Sequence, residues 1–402
     1  MKPINVSCIQ FSFVKDFVCD GRFCNSQCCS GWRVEVDGQH RHKLLDIKNK
    51  ELRKEITDNL QYNDEIKMHT ICMLEDGTCP FVGDDYLCRI QKNEGEDKLP
   101  DICVTFPRWY YKFSEYIYAD LSIACPLVAK IALLNGEPLF LEEVDVSIKR
   151  PRMIKIMTDE CKFNSNALDI LCASMAILQK KDFSLKNRLI LLGIFYDTVE
   201  KNYSSGNIDE IIRDFTNTNV QVNLLNGLSN VQLTPLRFTR DICKILEDIF
   251  ANPVFYSREK EHLYINMFKK CFDINVNSNI GAFIERYNRL SLEYDVFVKR
   301  YPYLEENFLI YGVFPHIIQI FYSHRTLVQN YAVYLIYYRI FKLGLLTLVG
   351  CKGEELTDKD IVAYISTFAK RVRHGSVYFD VVDKYVESNH DDVLEIMRIW
   401  LA

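Results

Sequence analysis

Between residues 168 and 372 apolar side chains recur at intervals of three and four, the spacing of a buried helix face. Leu168, Leu171, Met175 and Leu178 make one such stripe. Leu189, Leu192, Phe195 and Val199 make a second, with Ser184 as its start signal. The clearest helix runs from Thr357 to His374, with Ile361, Tyr364, Ile365, Phe368 and Val372 on one face. Thr357 and Asp360 have the spacing of a capping box, with Asp in place of the usual Glu. Arg371, Arg373 and His374 suit the negative end of its dipole, and Gly375 can end it. Tyr331–Gly350 is the most apolar long stretch. It carries Arg339, Lys342 and four tyrosines, which predicts a buried helix of a globular protein and no membrane span.

Before residue 145 the pattern is broken into shorter pieces. Apolar and polar residues alternate from Trp32 to Gly38 and end in Asp-Gly, which predicts a strand and a turn. Residues 41–60 read as one polar helix. The aromatic run Tyr110–Leu121 is equally compatible with a strand pair and a helix. Composition shifts near 136–150, and Lys149–Arg152 reads as a linker. The expected fold is mainly α. A small Cys-rich domain with short strands occupies 1–145, and an all-helical domain of one or two subdomains occupies 146–402.

The chain has 402 residues, 48% of them hydrophobic, enough for a large core without disulfides. A net charge of −5 gives no basic footprint for nucleic acid or an anionic membrane. The first residues lack the apolar region of a signal peptide, so the expected location is the reducing cytoplasm. There, patterned cysteines mean metal or catalysis more often than disulfides. Ten of the fifteen cysteines lie between Cys8 and Cys125, and six of those fall in three short motifs. The motifs are Cys24-x3-Cys28-Cys29, Cys79-Pro80-Phe81 with Cys88 nine residues on, and Cys103 shortly before Phe106-Pro107-Arg108.

Soft thiolates select zinc or an iron–sulfur cluster. Candidate ligands are Cys24, one of Cys28 and Cys29, Cys88 and Cys103, then Cys79 and Cys125, then Cys19. Adjacent Cys28 and Cys29 reach one site only across a turn. No C-x2-C pair of a zinc knuckle occurs, and the irregular spacing favours an iron–sulfur cluster, expected as 4Fe–4S, with zinc as the alternative. Cys8, Cys72 and the scattered Cys161, Cys172, Cys243, Cys271 and Cys351 read as core residues. His40 and His42 are placed on the polar face of a helix in preference to a metal pair. Arg108, Trp109, Tyr110 and Tyr111 suit either core packing or a pocket wall that holds an ammonium group by cation–π attraction. No dinucleotide fingerprint, P-loop, nucleophile elbow or zinc-protease motif is present.

The series Phe23-Cys24-x3-Cys28-Cys29-x-Gly31-Trp32, Cys79-Pro80-Phe81, Leu87-Cys88-x-Ile90-Gln91 and Cys103-x2-Phe106-Pro107-Arg108 resembles the flagellin lysine-N-methylase family. Its N-terminal part is similar to zinc/iron-chelating cysteine-cluster domains. Weaker landmarks follow at Leu185–Gly193, at Glu305–Phe308 with Phe314-Pro315, and at Arg371–His374. Val82 and Pro100 depart from the family's usual wording at positions that are not ligands. The resemblance implies a protein-lysine N-methyltransferase that methylates flagellin before export, with a cysteine-bound iron–sulfur cluster and S-adenosylmethionine as donor. The expected binding residues are Trp32, Arg108, Trp109 and Tyr110. Two other readings stay open on the residues alone: an iron–sulfur redox protein, and a metal-stapled binding protein for flagellin.

Overall fold

The computed structural model describes residues 3–24, 27–30, 33–113, 115–157, 163–228, 232–251, 259–272, 280–319, 325–373, 376–389 and 392–402. The chain forms two compact units, Met1–Ile131 with Phe140–Ile156, and Ala132–Leu139 with Met157–Ala402.

The first unit holds the strands β1 (Ile4–Phe11), β2 (Val34–Val36), β3 (Leu60–Asn63), β4 (Met68–Ile71), β5 (Arg108–Phe113), β6 (Tyr116–Leu121), β7 (Leu141–Ile148) and β8 (Ile154–Ile156). They make a five-stranded sheet in the order β7-β1-β6-β5-β8 and a three-stranded sheet in the order β2-β4-β3. β7 pairs antiparallel with β1 from Ile4↔Ile148 to Phe11↔Leu141. Among the short helices are α1 (Gly21–Cys24), α2 (Gly38–Leu45), α3 (Lys50–Asp58), α4 (Arg89–Glu94) and α5 (Asp101–Thr105), and α6 (Pro126–Leu133) runs on into the second unit.

Local chemistry settles several expectations. Tyr110–Leu121 is a strand pair, with Arg108 opposite Leu121 and Phe113 opposite Tyr116. Asp37-Gly38 makes no hairpin turn. The Asp37 carboxylate accepts from the His40 backbone N–H and starts α2. The single polar helix expected over 41–60 is two helices, because Asn49 caps α3 by accepting from Glu51 and Leu52 and fully buried Ile47 pins the link between them. His40 is not on a polar face. It is buried, with Nδ1 3.0 Å from Asp37 Oδ1 and 3.0 Å from the Arg152 guanidinium, whereas His42 is exposed. Lys149–Arg152 is no loose linker. Lys149 pairs with Glu96 at 2.6 Å, Arg150 with Asp101 at 3.1 Å, and Arg152 with both Asp101 and Asp37.

The second unit is helical: α7 (Ala167–Leu178), α8 (Leu185–Asn202), α9 (Ile208–Thr216), α10 (Thr218–Gly227), α11 (Pro235–Ala251), α12 (Glu259–Phe272), α13 (Ile280–Val298), α14 (Leu304–Gln319), α15 (Leu327–Lys352), α16 (Asp358–Arg373), α17 (Ser376–Asn389) and α18 (Val393–Trp400). The stripes read from the sequence fall on α7, α8 and α16. Ser184 caps α8 through Asn187. Asp360 N–H reaches Thr357 Oγ1 at 3.3 Å while Thr357 N–H reaches Asp360 Oδ2 at 3.0 Å, so the Asp version of the capping box closes. Ile361, Tyr364, Ile365 and Phe368 are buried. The Val372 side chain, His374 and Gly375 lie outside the described residues. The apolar Tyr331–Gly350 stretch lies within α15, which packs against α8, α12, α13, α14, α16, α17 and α18. α15 is long and apolar enough to cross a membrane, but 78% of its most apolar window is buried in protein.

The reading of the later cysteines as core residues needs correction. Cys172 and Cys351 are exposed and Cys243 and Cys271 half-buried, because each sits at the margin of its helix's apolar stripe. Cys161 lies outside the described residues. Cys8 is buried and Cys72 half-buried.

Two expectations can be measured. Asn307 is fully buried; it donates to Glu137 O at 2.6 Å and Ala132 O at 3.2 Å and accepts from Leu139 N–H at 3.2 Å. Asn307→Ala leaves these backbone groups unpaired and should cost about 3 kcal/mol in urea unfolding. Burial pushes the Asp37 carboxyl up, but the His40 backbone N–H, the His40 ring and Arg152 outweigh it and hold the group at about 2. A lowered pKa stabilises the fold above the unfolded value and loses that contribution as pH falls from about 4 to about 2. Asp37→Asn should therefore be less stable than the native chain at pH 5, with the difference shrinking towards pH 2.

Candidate metal centre

Three loops and one helix start bring the N-terminal thiols together. Residues Gln27–Cys29 form a 3₁₀ turn, the turn that adjacent cysteines need to face one site, and Cys28 Sγ stands 3.8 Å from Cys29 Sγ. Two sulfurs bound at about 2.3 Å to one tetrahedral zinc are separated by about the same distance. Cys79 N–H donates to Cys29 O at 2.8 Å, and Ser30 bridges Thr78, so the second motif is laced to the first. Cys88 bridges Val82 and precedes α4, and Cys103 lies in α5. Cys79 and Cys88 pack on the core of the small sheet, beside Phe81, Ile90 and Leu99.

The electrostatics trace the same neighbourhood. Burial pushes Cys79 up to about 11, with Cys88 and Cys28 adding to the rise. Cys88 is raised by burial and by Cys28. Cys103 is solvent-exposed as a residue, yet the protein crowded round its thiol, with Cys88, Cys79 and Cys28, pushes it well up. Cys29 is raised by its contact with Cys28, by burial, and by Cys103 and Cys79. On the other side of Cys28, burial pushes Cys125 up to about 12, helped by Cys24 and Cys28. Cys19 is raised by burial, Cys28 and Cys24 and lowered by Arg108. Cys19, Cys29, Cys79, Cys88, Cys103 and Cys125 therefore all lie near Cys28, and Cys24 lies near Cys19 and Cys125.

Backbone amides pull in the opposite direction. The Phe81 N–H bonds Cys79, those of Gln91 and Ile90 bond Cys88, and those of Val128 and Leu127 bond Cys125, and each favours the thiolate. Thiols that repel one another as anions while amides solvate the anionic form are a donor set suited to a soft cation. Among the described residues no three His, Cys, Asp or Glu side chains stand close enough to hold a metal ion as they are. A metal held by these thiols would have to draw them closer together.

The expected binding residues separate. Trp32 lies outside the described residues. Trp109 faces Lys155, whose Nζ lies 4.5 Å from its ring centre, so its aromatic face already holds a cation of the chain itself. Arg108 stacks over Phe17 at 5.0 Å. Arg108 and Tyr110 line a cavity of about 280 Å³ on the large sheet with Gln10, Lys15, Asp120 and Asp145. The last four carry no motif; the register of β1, β6 and β7 reveals Gln10, Asp120 and Asp145, and Lys15 follows β1 in a 3₁₀ turn. Tyr110 is raised by burial, so its hydroxyl stays protonated at neutral pH.

A thiol-rich, strand-containing unit and a helical bundle therefore define a two-part protein with a candidate thiolate metal centre. The chain belongs to the family described as FliB lysine N-methylase C-terminal domain, whose model matches residues 173–399, more than half of its length. The flagellar biosynthetic protein FliU of Salmonella muenchen is 33% identical over 150 residues, 36% of this chain and 85% of that protein. The lysine-N-methylases of Salmonella choleraesuis and Salmonella typhimurium are each 33% identical over 150 residues, 36% of either partner in the comparison. The match thus spans about a third of those two enzymes. No solved structure matches the chain. Two of the family landmarks meet in the helical unit, where Arg188 donates to Glu306 at 2.6 Å, and Phe308 beside them stacks on Phe341.

Replacing Cys88 or Cys103 by Ala removes a thiol from the group round Cys28. Either variant should lose bound metal and lower the stability of the first unit, since site formation contributes folding free energy. Full metal content in both would remove these two from the ligand set.

Proposed function

We propose that this chain is a protein-lysine N-methyltransferase acting in the cytoplasm on flagellin, with S-adenosylmethionine as donor. The ligands of a 4Fe–4S cluster, about four in number, would be drawn from Cys24, Cys28, Cys29, Cys79, Cys88, Cys103 and Cys125, with zinc as the alternative. The observation that carries the reading is the gathering of these thiols round Cys28 in a chain of the lysine N-methylase family. The names of the relatives, lysine-N-methylase and flagellar biosynthetic protein, support the activity and the substrate.

The chemistry asks for no radical. The lone pair of a neutral ε-amine attacks the sulfonium methyl carbon, the carbon–sulfur bond breaks as S-adenosylhomocysteine leaves, and the nitrogen loses a proton to a base. The enzyme's task is to align the two partners and stabilise spreading positive charge. When bound, a cluster with one iron free of cysteine supplies a site for the donor's amino and carboxylate groups, and a fully closed one supplies a staple. The cavity of Arg108 and Tyr110 suits the alignment step: the Tyr110 hydroxyl is a neutral hydrogen-bond partner, and Arg108 is the cation for a donor carboxylate. Trp109, occupied by Lys155, has no part in holding the acceptor amine.

Anaerobic purification should give iron, sulfide and broad absorption in the blue, and the protein should move labelled methyl from S-adenosylmethionine to flagellin. With the metal intact, Tyr110→Ala should lower kcat by about tenfold or more, while Trp109→Ala should leave it nearly unchanged. Zinc alone after attempted reconstitution, with no transfer to flagellin, would turn the reading to a structural staple. Normal transfer by Tyr110→Ala would move the reaction away from this cavity.

A further inference from the structure

We propose that β7 receives an extended, lysine-bearing segment of the protein substrate as a sixth strand of the large sheet. The inference rests on the methylase reading for the fate of that lysine, but not for the docking itself.

β7 is the end strand of its sheet. Its inner side is paired with β1 along all eight residues. The Ser12 N–H donates to Phe140 O at 2.9 Å, which fixes the alternation of the ladder. Gln10↔Glu142, Cys8↔Val144 and Val6↔Val146 are then the hydrogen-bonded pairs, and Leu141, Glu143, Asp145 and Ser147 turn N–H and C=O to the open side. Among the described residues, no other element bonds these outward groups. Glu143, Asp145 and Ser147 are exposed in the complete chain. An open edge of this length is a template for another strand, and main-chain bonds supply the affinity when a peptide adds to it.

Charge chooses the occupant. The strand Leu-Glu-Glu-Val-Asp-Val-Ser-Ile carries three carboxylates and no base. Two copies of such an edge repel each other, and an acidic peptide is repelled as well, whereas a cationic strand is attracted. Glu142 is engaged by Lys15 at 3.3 Å and Glu143 by Ser7 Oγ at 2.7 Å. Asp145 makes no ion pair with any described residue and lines the 280 Å³ cavity.

Reach fits as well. An added strand lies about 4.8 Å beyond β7, and the four-carbon stem of a lysine can cross β7 and set its amine in the cavity behind it. Of the two cations at that cavity, Lys15 is already engaged by Glu142.

The test is fluorescence anisotropy with the full chain and a labelled peptide of alternating lysine and valine, beside a glutamate–valine counterpart. Ser147→Pro removes an outward N–H that pairing with β1 does not use, and proline is tolerated at such an edge position. Asp145→Lys reverses the charge at an exposed site and decides the matter if proline disturbs the sheet. The native chain should bind the lysine peptide and not the glutamate one. Each variant should weaken binding about tenfold or more, and should raise KM for flagellin to a similar degree. No binding by the native chain, equal binding of the two peptides, or unchanged binding by Asp145→Lys overturns the proposal. A chain that binds the lysine peptide in this way but transfers no methyl keeps the docking edge and loses the methylase reading. Methyl transfer with KM unmoved in both variants does the reverse.

Discussion

The helical unit depends on one constraint: α15 is apolar on every side and must be covered on every side. A surface helix needs one buried stripe, but α15 buries eighteen of its positions, from Leu327 to Val349. Seven helices supply the cover, and its tyrosines pin two of them. Tyr331 donates to Leu189 O and Tyr334 to Leu309 O, each at 2.7 Å. The approach of α8 is close enough that a Cβ on Gly193 would stand 2.5 Å from the Tyr331 ring. In that dry setting Arg188 and Glu306 face each other, and their charges are tolerable because each neutralises the other.

The first unit obeys a different rule. Its small-sheet core is modest, and Cys79 and Cys88, outside regular elements, pack against it. There, local preferences conflict. Amides aimed at Cys79, Cys88 and Cys125 favour thiolates, while burial and the neighbouring sulfurs oppose them. A sequence keeps such a conflict where function requires it.

The helical half was legible because a stripe every three or four residues and a cap at Ser184 or Thr357 are local signals. Tertiary contact had little left to decide at Leu171, Leu189 or Phe368. The N-terminal half was harder for the opposite reason. Asp37-Gly38 carries equal local credentials for a hairpin turn and a helix start, and the His40 and Arg152 contacts, the latter far along the chain, belong to the outcome. Lys149–Arg152 looked like a linker because its partners, Glu96, Asp101 and Asp37, lie some fifty to over a hundred residues away. The cysteine group could be seen from spacing, but its centre on Cys28 could not, since that depends on how three loops fold back. Trp109 reads equally as core packing or as a face for an ammonium group, and the lysine that lies over it, Lys155 of β8, is not visible from its neighbours in sequence.

The order in which the chain visits its two units has a practical meaning. It leaves the first at Ile131, spends Ala132–Leu139 in the second, returns for β7 and β8, and only then crosses for good at Met157. A gene cut once at any point therefore cannot yield two intact halves. A cut after β8 leaves the helical half without the segment that Asn307 grips, and a cut before β7 strips the large sheet of both its end strands. During synthesis the same threading delays the first unit, whose sheet cannot close until the chain has been made well past the last of the clustered cysteines.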